Sequence, residues 1–104
     1  MITLYYDNYE WNVEIFPPNE KEAEWLKNHR ENLPKPRNQI GQILSFKLSN
    51  SIERQGTIQG IMLYFNPETT EFPTEEENIF YDVAYGGHGK WVQSNSEFYG
   101  EWPK

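Results

Sequence analysis

Apolar and polar positions alternate from the start of the chain. In "EWNVEIF" (residues 10–16) Trp11, Val13 and Ile15 share one face, and Glu10, Asn12 and Glu14 share the other. That period of two marks a half-buried strand. The preceding "ITLYY" (residues 2–6) is β-branched and aromatic, and Asp7-Asn8 between the runs is a turn signal, so the chain is expected to begin with a β-hairpin. The period then changes. In "PPNEKEAEWLKNHRENLPKP" Asn19 can cap a helix, Glu22 sits three residues later to complete a capping box, and Pro34 ends the run. A helix is expected over residues 20–32. Its apolar stripe is narrow: Ala23, Leu26 and Leu33, with Trp25 alongside. One edge packs and the rest, His29 included, faces water.

"LPKPRNQ" follows as a stiff connector, because each proline fixes its own φ and pushes the residue before it out of helix. After it every run reads as strand: "IGQILSFKL", "QGTIQGIMLYF", "NIFYDVAY" and "KWVQS", separated by turn or loop signals. Gly41, Gly56 and Gly60 fall beside or inside these strands, where a missing side chain permits a bulge or a sharp bend. Past Gly60 the second run is apolar on both faces, the pattern of a strand that curls and serves two sheets. The acidic "NPETTEFPTEEEN" reads as a long surface loop. "GGHG" reads as a tight hairpin turn rather than a phosphate cradle, since it leads into a strand and not into a helix N-terminus.

Composition narrows the function. The chain has 104 residues, enough for one domain with one modest core. Sixteen acidic against nine basic side chains give a net charge of −7. The basic residues are scattered, so the electrostatic footprint of a nucleic-acid binder is missing and direct nucleic-acid binding is not expected. There is no cysteine, which excludes disulfides, a thiolate nucleophile and Cys-based metal sites. His29 and His88 have no second His or Cys at ligand spacing, so no metal or cofactor is expected. The opening residues lack the basic start and apolar run of a signal peptide, and no stretch is apolar enough to span a membrane. A cytoplasmic protein is expected.

From residue 40 to 100 the cadence is Gly-x-x-hydrophobic, a turn, Gly-x-Ile, a loop, Tyr-x-Val, a glycine turn, Trp-Val and a short closing helical turn. This resembles the SH3-like barrels of the Tudor and KOW type. The resemblance implies a small SH3-like barrel over these residues; joined to the N-terminal hairpin and helix read above (residues 1–33), which it does not cover, the expected fold is mainly β (α+β). It also implies a habit: such barrels bind peptides, modified side chains or nucleic acid and seldom catalyse. The Tudor version holds a methylated Lys or Arg among aromatic rings beside a carboxylate. Phe80, Asp82, Tyr85 and Trp91 are similar parts, with Tyr64 on the preceding strand. Strand alternation, however, puts Tyr81, Val83 and Tyr85 on one face and Phe80 and Asp82 on the other.

The rings are the feature that packing explains least. Four tryptophans, seven tyrosines and six phenylalanines are more than a core this small needs, and some, such as Tyr99 and Trp102, are expected at or near the surface. Exposed rings flanked by polar groups are the usual material of binding hot spots. The glycine hairpin and its neighbours, Tyr64, Asp82, Tyr85, His88 and Trp91, therefore form the expected contact surface. A non-catalytic interaction module, or an inhibitor or immunity-type factor docking on the basic surface of a protein partner, is the first expectation. Its acids would face the partner's cations and in the limit imitate nucleic acid. An aromatic-cage reader of a cationic ligand or methylated side chain is the second, and a small enzyme the third.

Overall fold

The computed structural model describes residues 1–13, 19–47 and 53–93, with the side chains of Phe46, Lys47, Glu53, His88, Lys90 and Gln93 outside that description. The chain is mainly β. Strands β1 (Ile2–Tyr6), β2 (Trp11–Val13), β3 (Ile43–Lys47), β4 (Glu53–Phe65), β5 (Ile79–Tyr85) and β6 (His88–Gln93) form one antiparallel sheet. Two helices accompany it, α1 (Glu20–His29), extended by a 3₁₀ turn over Arg30–Asn32, and α2 (Glu75–Asn78).

The N-terminal hairpin forms as its alternation requires. Asp7 Oδ1 accepts from the backbone N–H groups of Tyr9 and Glu10, both at 2.8 Å, and its Oδ2 accepts from Asn12 Nδ2 at 3.1 Å. These bonds hold its carboxyl below the ordinary aspartate value. Asn8 takes the left-handed conformation, φ 76°, which Asn tolerates better than most residues. Trp11 is buried, but Val13 on the same face is exposed, so burial fades toward the end of β2. Ile15 lies outside the described residues. The helix starts where the capping box puts it. Asn19 Oδ1 accepts from Glu22 N at 2.9 Å, and Glu22 Oε1 accepts from Asn19 N at 3.2 Å.

β4 is the spine of the sheet. Along one edge it pairs with β5. The other edge is divided between two strands: β1 lies against Met62–Phe65 and β3 against Glu53–Thr57. Gly41 and Gln42 fill the gap, the N–H of Gly41 donating to Ile58 O at 2.7 Å and the N–H of Ile58 to Gln42 O at 2.9 Å. Against β5, β4 carries one extra residue, Gln59, because Ile58 stands opposite Val83 and Gly60 opposite Asp82. The bulge resets the side-chain phase. Ile58 before it, and Ile61, Leu63 and Phe65 after it, all reach the core with Tyr81, Val83, Ile79, Ile2 and Leu4. Helix α1 closes this side of the sheet with Leu26, and the Trp25 ring lies 5.1 Å from that of Phe65.

Three expectations change. The described sheet is open: its path runs β2-β1-β4-β5-β6, with β3 beside β4. The N-terminal hairpin takes part of the β4 edge and so extends the sheet, instead of standing outside a closed barrel. The expected closing turn lies beyond residue 93, outside the described residues. A second helix, α2, occupies part of the expected acidic loop. Thr74 Oγ1 accepts from Glu77 N at 3.2 Å, and the acids of its first turn suit the helix dipole. Finally, His29 is half-buried rather than outward: its ring stacks on Trp25 at 4.3 Å, and its Nδ1 lies 2.7 Å from Trp25 O. A carbonyl only accepts, so Nδ1 carries the proton. Among the described residues no helix is long and apolar enough to cross a membrane.

Candidate functional site

One face of the sheet is the core, and the bulge at Gln59 decides what stands on the other. Register aligns that outer face in rows across the strands: Thr3 with Tyr64, Tyr5 with Met62 and Phe80, and Gly60 with Asp82 and Trp91. Tyr5 is 38%, Tyr64 40% and Trp91 39% exposed, and Met62 and Phe80 are half-buried between them. Rings so placed on a rigid sheet present apolar area at little entropic cost.

The centre of the face is polar and tightly built. Gln59 Nε2 donates to Asp82 Oδ2 at 2.9 Å, which fixes the orientation of the carboxylate. Glycines flank it on both neighbouring strands. A Cβ at Gly60 would stand 3.5 Å from Asp82 Cβ and 3.6 Å from Trp91 Cη2; one at Gly89 would stand 3.1 Å from Gln59 Nε2 and 3.4 Å from Asp82 Oδ1. The indole of Trp91 thus reaches across its own row to the bare backbone of Gly60, beside the carboxylate. Among the described side chains of the outer face between Gln55 and Tyr64 on β4, and on β1, β5 and β6, that of Asp82 is the one with a formal charge. Helix α2, with Glu75, Glu76 and Glu77, lies against β4 and β6, and Asn78 Nδ2 donates to Tyr64 O at 3.3 Å. Helix α2 therefore sits at the Tyr64 end of the strands, where Glu75 Oε1 is paired with Arg37 Nε at 2.9 Å.

Of the five residues singled out by sequence, the fold brings Tyr64, Asp82 and Trp91 onto this face. Tyr85 goes to the other side, half-buried against the core next to Val83 and Tyr81. His88 stands opposite Tyr85 in the β5–β6 register, across a turn in which Gly86 and Gly87 have φ 52° and 82°. Its side chain lies outside the description. The five do not converge on one point. Tyr5, Met62 and Gln59 belong to the face and were not anticipated. Alternation in "ITLYY" does set Tyr5 apart from Ile2 and Leu4, but joining it to Met62 needs the long-range β1–β4 pairing, and Gln59 needs the bulge.

Clefts elsewhere include two bordered by described residues. One of about 280 Å³ is bordered by Asn19, Glu22, Trp25 and Pro67, and there Glu22 Oε2 accepts from the Met1 ammonium at 2.6 Å. Another of about 200 Å³ lies between Tyr6, Tyr9, Trp11 and Lys35, where Trp11 Nε1 donates to Pro34 O at 3.0 Å and Arg30 donates to Trp11 O. In both, polar atoms at the wall already hold parts of the fold together. No group of three His, Asp or Glu side chains among the described residues is arranged to hold a metal ion. Comparison with known proteins finds no family model that matches the chain, and no curated protein or solved structure with significant similarity to it.

Proposed function

We propose that this protein is a non-catalytic interaction module that docks on the basic surface of a protein partner through the outer face of its sheet. The observation that carries the reading is the joint placement of Tyr5, Tyr64 and Trp91, each more than a third exposed, on the one sheet face that also carries Asp82. Rings give contact area, Asp82 gives sign, and the net charge of −7 favours encounter with a cationic surface. An inhibitor or immunity-type factor acts in this way, by covering a basic active site or groove. The frame we infer is SH3-like in strand order: β3 to β6 form a meander around a long, bulged β4, and the hairpin extends it. A cysteine-free chain works unchanged in a reducing cytoplasm, the compartment that suits this role.

The aromatic-cage alternative needs rings converging within about 6 Å of one cation. Tyr85 stands on the opposite face from Asp82, so these residues favour a broad docking face over a cage.

The test is affinity capture of the partner from the native host, followed by binding measurements with Tyr64→Ala, Trp91→Ala and the control Lys27→Ala on the exposed side of α1. Loss of about tenfold or more with either ring variant, none with the control, and a steep fall in affinity with salt are expected. A partner indifferent to both rings would end the proposal.

A further inference from the structure

The outer face has a shape that limits what it can hold. Antiparallel strands rise about 3.4 Å per residue and lie about 4.8 Å apart. Tyr64 is two rows along from Gly60 and Trp91 is two strands across from it, so the two backbones are roughly 16 Å apart on that geometry. The Trp91 indole reaches back to Gly60, which leaves about 14 Å of strand between it and the Tyr64 backbone, well beyond the roughly 6 Å over which a single small cation meets a ring. An extended peptide covers that diagonal with about five residues. Phe80, adjacent to both rows, fills the interval.

At the Trp91 end the chemistry is specific. Asp82 Oδ2 is engaged by Gln59 Nε2, and that same amide retains its own carbonyl oxygen as an acceptor. A Cβ at Gly89 would crowd Gln59 Nε2 at 3.1 Å, and the indole of Trp91 lies over Gly60 beside the carboxylate. Carboxylate oxygen, carboxamide oxygen and a partly exposed indole beside them together suit a planar, charged fork with several N–H donors that also stacks on aromatic rings. A guanidinium is such a fork; an ammonium is a compact point charge that gains little from stacking.

Resting on the docking reading above, we infer that the occupant is an extended segment of the basic partner bearing one arginine, which sets its guanidinium at Asp82 and Trp91 and an apolar residue about five positions away at Tyr64. Charge complementarity chooses the cation, since Asp82 is the formal charge within the described face. The separation of the two rings chooses the extended form.

A random-sequence dodecapeptide library selected on immobilised wild-type protein and on Asp82→Asn tests this. Wild-type selections should be enriched in arginine with an apolar residue about four to six positions away, and the Asp82→Asn selections should lose that enrichment. A selected peptide should weaken about tenfold when its arginine becomes citrulline, and less when it becomes lysine. Equal enrichment of lysine, or enrichment of arginine unchanged in Asp82→Asn, overturns the arginine inference. If such peptides still weaken with Tyr64→Ala or Trp91→Ala, the docking face stands without it. If selected peptides ignore both rings, the docking face falls as well. Circular dichroism of Asp82→Asn, matched to wild type, excludes unfolding as the cause.

Discussion

The side-chain amide of Asn8 pairs with both backbone polar groups of Ile40: Nδ2 donates to Ile40 O at 3.3 Å, and Oδ1 accepts from Ile40 N at 2.9 Å. The amide acts as one extra peptide unit, binding the turn of the N-terminal hairpin to the connector just before β3. This is where β1 gives way to β3 along β4, so the brace closes the division in the sheet edge.

Replacing Asn8 separates its two contributions. Asn8→Gly keeps the left-handed backbone and loses the brace, at a cost of about 1–2 kcal/mol for two partly buried hydrogen bonds. Asn8→Ala loses the brace too and keeps a Cβ in that conformation without the polar group that lets Asn tolerate it, so it is less stable than Asn8→Gly by about 1 kcal/mol. Urea unfolding of the three proteins checks the order, and equal stability of the Gly and Ala variants would refute the backbone part.

The bulge predicts a contrast between deleting a residue and changing it. Without Gln59, either Ile58 or the run Ile61, Leu63 and Phe65 must turn to the outer face, because a one-residue slip inverts a strand. The deletion should abolish cooperative unfolding and amide dispersion, whereas Gln59→Ala, which keeps the backbone count, should retain both. A well-dispersed spectrum from the deletion would mean that the phase is set elsewhere.

Local signals were legible in the sequence and long-range pairings were not. The burial of Trp11 between exposed Glu10 and Asn12, the Asn19–Glu22 capping box and the double-glycine turn each depend on neighbours within a few residues, and each forms as expected, whereas Val13 on the Trp11 face is exposed. The β1–β4 pairing joins residues about sixty positions apart, and nothing in "ITLYY" names its partner. That pairing turns an expected barrel with an appendage into an open sheet. The site divided in the same way. Asp82 and Trp91 come from one hairpin, whereas Tyr5 and Met62 meet only through the β1–β4 register. Tyr85 leaves the face as strand alternation required, although the expected contact surface included it.

Glu22 predicts an acid sensitivity. The hydrogen bond from the Met1 ammonium is the main influence holding its carboxyl below the ordinary value of 4.5, with burial opposing and the Asn19 N–H assisting. A folded-state value below the unfolded one contributes stability that is complete above about pH 4.5 and disappears as pH falls through the folded value. Glu22→Gln should therefore be less stable than wild type at pH 7, with the difference shrinking below about pH 4.5. Denaturant midpoints from pH 7 to pH 3 measure it, and a constant difference would contradict the linkage.

Gly60 predicts a gain. A Cβ there meets Asp82 and Trp91 at ordinary contact distances and no positive φ is required. Gly60→Ala should raise stability by about 0.4–1 kcal/mol through the reduced freedom of the unfolded chain. Thermal unfolding reads the sign; a destabilised variant would show that the indole needs a closer approach to the backbone than these distances imply.

Trp91 and Val92 are adjacent in sequence and opposed in consequence. Val92 is 0% exposed on the core face, while Trp91 is 39% exposed on the outer one. Val92→Ala should cost about 1.5–3 kcal/mol from lost burial. Trp91→Ala leaves the core intact and should cost about 1 kcal/mol or less. Chemical denaturation of the two variants side by side gives the comparison. If Trp91→Ala is as damaging as Val92→Ala, the indole belongs to the fold, and loss of partner binding in that variant would no longer identify a docking surface. If the difference holds, Trp91→Ala is a folded protein without its largest outward ring, and its loss of partner binding reports on contact alone.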